Sequence, residues 1–388
     1  MLALRLARGS HPLVLLRRLG VAVAAGGTGF LLLSTVGHAA GHPSAADESL
    51  VRLLWCTAPL AATAQFAVST ARTDPAARLQ RGMTAAGLGP LRLTLLATLS
   101  TALTCVLGVL AALLAFLRLR GDLGDPSAVP LFDADLLGAG HPVPLVGALM
   151  LLATVPLTAA AATAVALRPR HEAGASEDVS RPTIAPPSGL PWGIALAAAG
   201  LAIEAYTSRA PGAHTGLLPL PGRLIGSPPE VLAGWALSAF GLVLAGPGLV
   251  HLCGRLLCAG RPGALRLLSG RVLQEESHRL GRPLGVLCAV GSAAYAAMKV
   301  YEASSSRPFG PLTAVGAAVV LACVTASALT AAVESRSARA HTTAALRRLG
   351  ASASVLYRAA ALRALALVIV LAPLTWTVAE MATLPLVH

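Results

Sequence analysis

Acid–base chemistry has little to work with in this chain of 388 residues, which holds 17 acidic side chains and 10 histidines. Glu204, Lys299, Glu302, Glu380 and His251 stand in or beside apolar stretches, where an ionisable residue is the usual pointer to an ion or proton pathway. The first four fall near the outer ends of their stretches, where Lys299 reaches the interface by snorkelling, and His251 reads as a packing or interfacial residue. A secondary carrier would want a carboxylate at mid-depth or a charge beside an interrupted helix. Pro156, Pro247 and Pro373 do interrupt apolar runs, but no charge accompanies them. His171 and Glu172 adjoin in a polar linker that cannot pre-organise a general base. The sequence has no GxxxxGK followed by Ser or Thr, no HExxH and no GxSxG, so it lacks the phosphate cradle, the zinc pair and the nucleophile elbow alike. Asp122, Asp125, Asp133 and Asp135 lack the spacing of a calcium loop, and the six cysteines, Cys56, Cys105, Cys253, Cys258, Cys288 and Cys323, all lie in or at the edge of apolar runs, as small packing residues do. The expectation is a chain without catalytic residues, without a metal and without a cofactor of its own.

What the sequence offers instead is a pair of basic segments built to bind. "RTDPAARLQRGMTAAGLGPLRL" (72–93) and "SRSARAHTTAALRRLGASASVLYR" (335–358) each read as a short amphipathic helix with a glycine stop. In the first, Leu79 and Met83 are four apart and share a face, with Arg78 and Arg81 beside them and Gly87 at the end. In the second, Ala344, Ala345, Leu346 and Leu349 form the apolar stripe, Arg336, Arg339, Arg347 and Arg348 the polar surround, and Gly350 the cap. Such a helix lies along a membrane surface or in another protein's groove.

The elements that must carry these segments are membrane spans. With 55% hydrophobic and 12% charged residues and a mean hydropathy of +0.71, the composition is far from that of a soluble domain. Stretches long enough to cross about 30 Å of hydrocarbon recur at 19–37, 50–71, 93–117, 143–167, 191–208, 230–253, 284–302, 311–333 and 364–384, predicting an all-α polytopic membrane protein of about nine transmembrane helices. Placing the N-terminus in the cytosol collects most of the 30 Lys and Arg on the inner side and fewer than half of the 17 acids, the asymmetry of the positive-inside rule. The C-terminus then emerges outside. A net charge of +13 spread over five short loops with no aromatic stacking surface does not describe a nucleic-acid binder. The first span is read as a true helix rather than a cleaved signal.

The chain also repeats itself. "ALRLARGSHPLVLLRRLG" (3–20) and "ALRLLSGRVLQEESHRLG" (264–281) align without a gap and each leads into an apolar span. Aligning Gly87 with Gly350 gives the same register to within two residues. Six spans lie between the ramps, an even number, so the repeat is parallel rather than inverted. The organisation predicted is a first unit over 1–168 with four helices, a polar Pro-rich linker and two intervening helices over 169–260, and a second unit over 261–388 with helices seven to nine and no counterpart of helix four.

With the two ramps, "ARLQRGMTAAGLGP" and "AALRRLGAS" in view, the chain resembles the FtsX-like permeases of ATP-binding-cassette systems, in particular the actinobacterial type with two permease units in one chain. The resemblance implies a plasma-membrane subunit whose loops after the second helix of each unit are coupling helices, seated on a cytosolic ATPase that dimerises as it binds ATP. Carried over by position, Arg78, Leu79, Arg81, Met83 and Gly87 make the first contact and Leu346, Arg347, Arg348, Leu349 and Gly350 the second. ATP would be bound by the partner, and the clients implied are lipids, lipoproteins and membrane-active peptides. A non-transporting scaffold or sensor, recruiting a cytosolic partner or regulating cell-wall enzymes, is the alternative the residues leave open.

Overall fold

The computed structural model describes residues 12–42, 46–73, 90–122, 141, 144–168, 189–207, 218–220, 224–227, 229–261, 263–303, 310–350 and 352–387. In chain order the helices are α1 (Pro12–Gly41), α2 (Ala46–Trp55), α3 (Thr57–Thr73), α4 (Pro90–Arg120), α5 (Leu145–Leu167), α6 (Gly189–Thr207), α7 (Pro229–Cys258), α8 (Ala264–Ala303), α9 (Pro311–Ala338), α10 (Ala340–Arg348) and α11 (Ala353–Val387). Two short strands, β1 (Leu218–Leu220) and β2 (Leu224–Ser227), stand between α6 and α7. Among the described residues nine helical stretches are long and apolar enough to cross a membrane. The protein is an all-α polytopic membrane protein, as its apolar runs predict.

Boundaries differ from the sequence reading where polar helix continues an apolar one. The basic ramp 264–281 is the first half of α8, a single helix of 40 residues, about 60 Å long and so twice the depth of the hydrocarbon. The second span is broken. Cys56 separates α2 from α3, and Pro59, which has no N–H to donate, falls in the next turn, where it removes one rung of the helical ladder.

The chain groups into two compact units. The first comprises Met1–Glu172, Pro219–Leu224 and Pro308–Ser327, and α1 is its hub, touching α3, α4 and α5. Ala25, Leu33, Phe116 and Val155 are fully buried there. With lipid outside, apolar burial gives helices no reason to associate, so close backbone approach and interhelical hydrogen bonds must do it. Gly108 of α4 lies on α1 so closely that a Cβ there would overlap the Ala22 carbonyl. The Thr28 and Thr63 hydroxyls share a hydrogen bond of 2.9 Å between α1 and α3, and Thr63 also meets the Cys323 sulfur at 3.9 Å.

The second unit comprises Ala173–Leu218, Ile225–Arg307 and Ala328–His388. Here α7 lies between α6 and α8. Small residues again set the distance: Gly246 and Pro247 of α7 meet Gly281 of α8, and Gly193 of α6 meets Ala245 of α7. Leu242, Ala289 and Val378 form one buried cluster, and Val250, Cys253 and Leu273 a second.

Helix direction follows from which residues meet. Gly26 faces Gly108 and Phe30 faces Phe116, edge to face at 6.3 Å, so α1 and α4 run parallel. Ser269 donates to the Ala359 carbonyl at 3.2 Å and Tyr295 to Glu380 Oε1 at 3.0 Å, so α8 and α11 run parallel as well. In each unit the helix that follows the basic ramp is paired with the helix two crossings later.

Candidate partner-docking site

Residues 340–348 form α10, the short helix expected from the second basic segment. Its start is fixed by Arg339, which makes no helical cap but turns back on α8. Arg339 Nε lies 2.6 Å from Glu276 Oε1, with the side chains 21% and 11% exposed. The same guanidinium donates to the Ser335 carbonyl and hydroxyl, both at 3.2 Å. A largely buried carboxylate and guanidinium in contact hold one geometry far better than a surface pair does, so the root of α10 is tied to the polar first half of α8 and to the last turn of α9. Arg339 therefore belongs to the helix's anchor and not to the polar surround expected for it.

The far end stops as glycine chemistry predicts. The Leu349 amide donates to the Ala345 carbonyl at 3.1 Å and the Gly350 amide to the Arg347 carbonyl at 3.0 Å. Gly350 has φ +94°, a conformation that side-chain-bearing residues rarely adopt. Between the two ends the helix offers itself to solvent. Arg347 and Arg348 are exposed, as are Ala344 and Ala345, and Leu349 is 85% exposed. Leu346 lies in the last turn of α10. Two positive charges in that turn also suit the negative end of the helix dipole.

Of the residues singled out from sequence, Leu346, Arg347, Arg348, Leu349 and Gly350 thus share one helix end. Arg78, Leu79, Arg81, Met83 and Gly87 lie outside the described residues. What sequence reasoning missed is Glu276: it stands beside Glu275 in a basic ramp, and no spacing rule pairs it with an arginine on a later helix.

Glu204, Glu380 and Lys299 are engaged within the second unit. Glu204 is buried near the end of α6, against Gly234, and accepts from the Ser238 hydroxyl at 3.4 Å. Glu380 accepts from Tyr295, whose hydroxyl in turn accepts from Trp376 Nε1 at 3.3 Å, and Lys299 Nζ lies 3.9 Å from the same carboxylate. His251 is buried in α7.

Compared with protein-family models, with curated proteins and with solved structures, the chain matches none.

Proposed function

We propose that this chain is the membrane subunit of an ATP-driven exporter or extractor of the FtsX-like type, whose energy comes from a separate cytosolic ATPase that works as a dimer. The observation that carries the reading is α10: a short basic helix with Ala344, Ala345, Arg347 and Arg348 exposed, closed by a glycine and tied at its root to a 40-residue helix long and apolar enough to cross the membrane. A motor pushing on α10 moves α8. The matching parallel pairs, α1 with α4 and α8 with α11, support two copies of one permease unit. In this reading the protein lies in the cell membrane with its N-terminus in the cytosol and its C-terminus outside. It moves or extracts a lipid, a lipoprotein or a membrane-active peptide.

The test is co-purification of the full-length chain from its native membrane, followed by protein identification and ATPase assay. The expected outcome is an associated nucleotide-binding subunit whose yield falls roughly tenfold with Leu349→Asp, a free-energy loss of about 1.4 kcal/mol. Leu349 is exposed, so this change leaves the fold intact. Recovery of a cell-wall hydrolase or a kinase in place of any ATPase would overturn the motor reading in favour of a scaffold.

A further inference from the structure

Within the first unit a groove of about 490 Å³ runs between α1, α4 and the first half of α9, a volume in the range of sites that hold small ligands, about 300–1,000 Å³. Gly26, Gly27 and Gly108 line it and let its walls approach, since a Cβ on each would meet a neighbouring helix, with Phe30, Ala115 and Val315 among its walls. Among the described residues no polar side chain lines it. Val23 and Leu107, 65% and 66% exposed, stand at its open side.

We propose that this groove holds one acyl chain of a membrane phospholipid, with the lipid's phosphate at Arg18. All three walls lie inside membrane-crossing stretches, Val14–Gly41, Thr94–Arg120 and Pro311–Ala338, where the surrounding medium is hydrocarbon. A peptide or polar metabolite would bring donors and acceptors to a lining that cannot satisfy them. An acyl chain brings none, and it supplies the dispersion contacts that an unfilled apolar groove forfeits. From Ala22 to Phe30 the groove follows about 12 Å of helix axis, close to one leaflet's half of the roughly 30 Å hydrocarbon. Arg18 comes one turn before Ala22 on the same face, since 18, 22, 26 and 30 are spaced by four. It is exposed and lines a small neighbouring cavity with Ser100, Thr101 and Thr104. A guanidinium at the leaflet surface is the group that pairs with a lipid phosphate. Retention of this lipid is a property of the chain alone and does not depend on the motor reading.

The experiment uses the purified full-length chain in phosphatidylcholine vesicles doped with phosphatidylglycerol, either lipid carrying a photoactivatable group on one acyl chain. Crosslinks are mapped by peptide. The expected result is labelling concentrated on residues 22–30 and 107–115 over the equally exposed face of α5 around Leu149 and Met150. Ala111→Trp, an exposed groove position, should lower groove labelling roughly tenfold, while Leu149→Trp leaves it unchanged. Arg18→Gln should reduce labelling by the phosphatidylglycerol probe. Even labelling over all lipid-facing helices, indifference to Ala111→Trp, or crosslinking of two protein copies through this face would overturn the site. Indifference of both probes to Arg18→Gln would overturn the headgroup assignment.

Discussion

Arg339 Nε and Glu276 Oε1 are 2.6 Å apart, joining the turn before α10 to the fourth turn of α8. Removing one member of a buried ion pair leaves the other charge without its counterion, at about 3–5 kcal/mol in a fully enclosed site. Here both side chains keep some exposure, which lowers the expectation to roughly 1–3 kcal/mol. Arg339→Glu should therefore reduce thermal stability in detergent and disorder α10, seen as faster amide exchange over 340–348. Arg339→Glu combined with Glu276→Arg should restore much of both. A double reversal no better than the single one would show that the pair does not anchor the helix.

The same pair marks what sequence could and could not reveal. The nine spans were legible because each is a long apolar run, and Gly350 was legible because a helix stop is a local event with a local residue preference. In the sequence Arg339 looks like one more solvent-facing arginine, since its partner lies on another helix and nothing in either neighbourhood announces the other. The length of α8 was hidden for a related reason. Its first half is polar enough to look like a loop leading to a span, yet it is held helical by Ser269 on Ala359 and by Leu273 among Val250 and Cys253, contacts that exist only after folding. The groove is not legible in the sequence because it exists only where helices meet: three glycines in two apolar runs look like ordinary membrane helix until the runs are set side by side.

Glycine positions separate packing from mere tolerance. A Cβ on Gly108 would overlap the Ala22 carbonyl oxygen, whereas one on Gly263 meets nothing within 4 Å. Gly108→Ala must push α4 away from α1, and overpacking of this kind costs about 1–3 kcal/mol. Gly263 precedes the first turn of α8 and its carbonyl accepts from the Leu267 amide, a cap position where alanine is poorer than glycine, so Gly263→Ala should cost no more than about 1 kcal/mol. Thermal denaturation of the two variants in the same detergent should differ clearly, with Gly108→Ala the less stable. Equal stabilities would mean that α1 and α4 do not meet at this point.

At the other end of α8, two contacts compete for credit in holding it to α11. Tyr295 bridges Trp376 and Glu380 with hydrogen bonds of 3.3 and 3.0 Å. Lys299 stands 3.9 Å from Glu380, with side chains 43% and 39% exposed. An exposed ion pair is worth about 0–1 kcal/mol and a hydrogen bond to a charged group about 1.5–3. Tyr295→Phe should therefore destabilise the protein more than Lys299→Met, measured by thermal melting or by proteolysis after residue 302. The reverse order would make the ion pair, and not the tyrosine bridge, the tie between these helices.

The sidedness of the two ends of α8 tests the orientation that the motor reading requires. Cys56, Cys105, Cys253, Cys288 and Cys323 are buried and Cys258 partly so, so a variant without native cysteines loses small packing groups and no disulfide. In that background Leu349→Cys and Glu302→Cys each place a thiol at an exposed position. Between them along the chain lie the end of α8 and the whole of α9, one crossing, so the two thiols belong on opposite faces. An impermeant maleimide added to intact cells should label Cys at 302 and spare Cys at 349, and inverted vesicles should reverse the result. Labelling of both from one face would mean that α9 does not cross the bilayer. Labelling of 349 alone in intact cells would put α10 outside, where no cytosolic ATPase could reach it, and would set Arg347 and Arg348 on the side that the distribution of basic residues assigns to the acids.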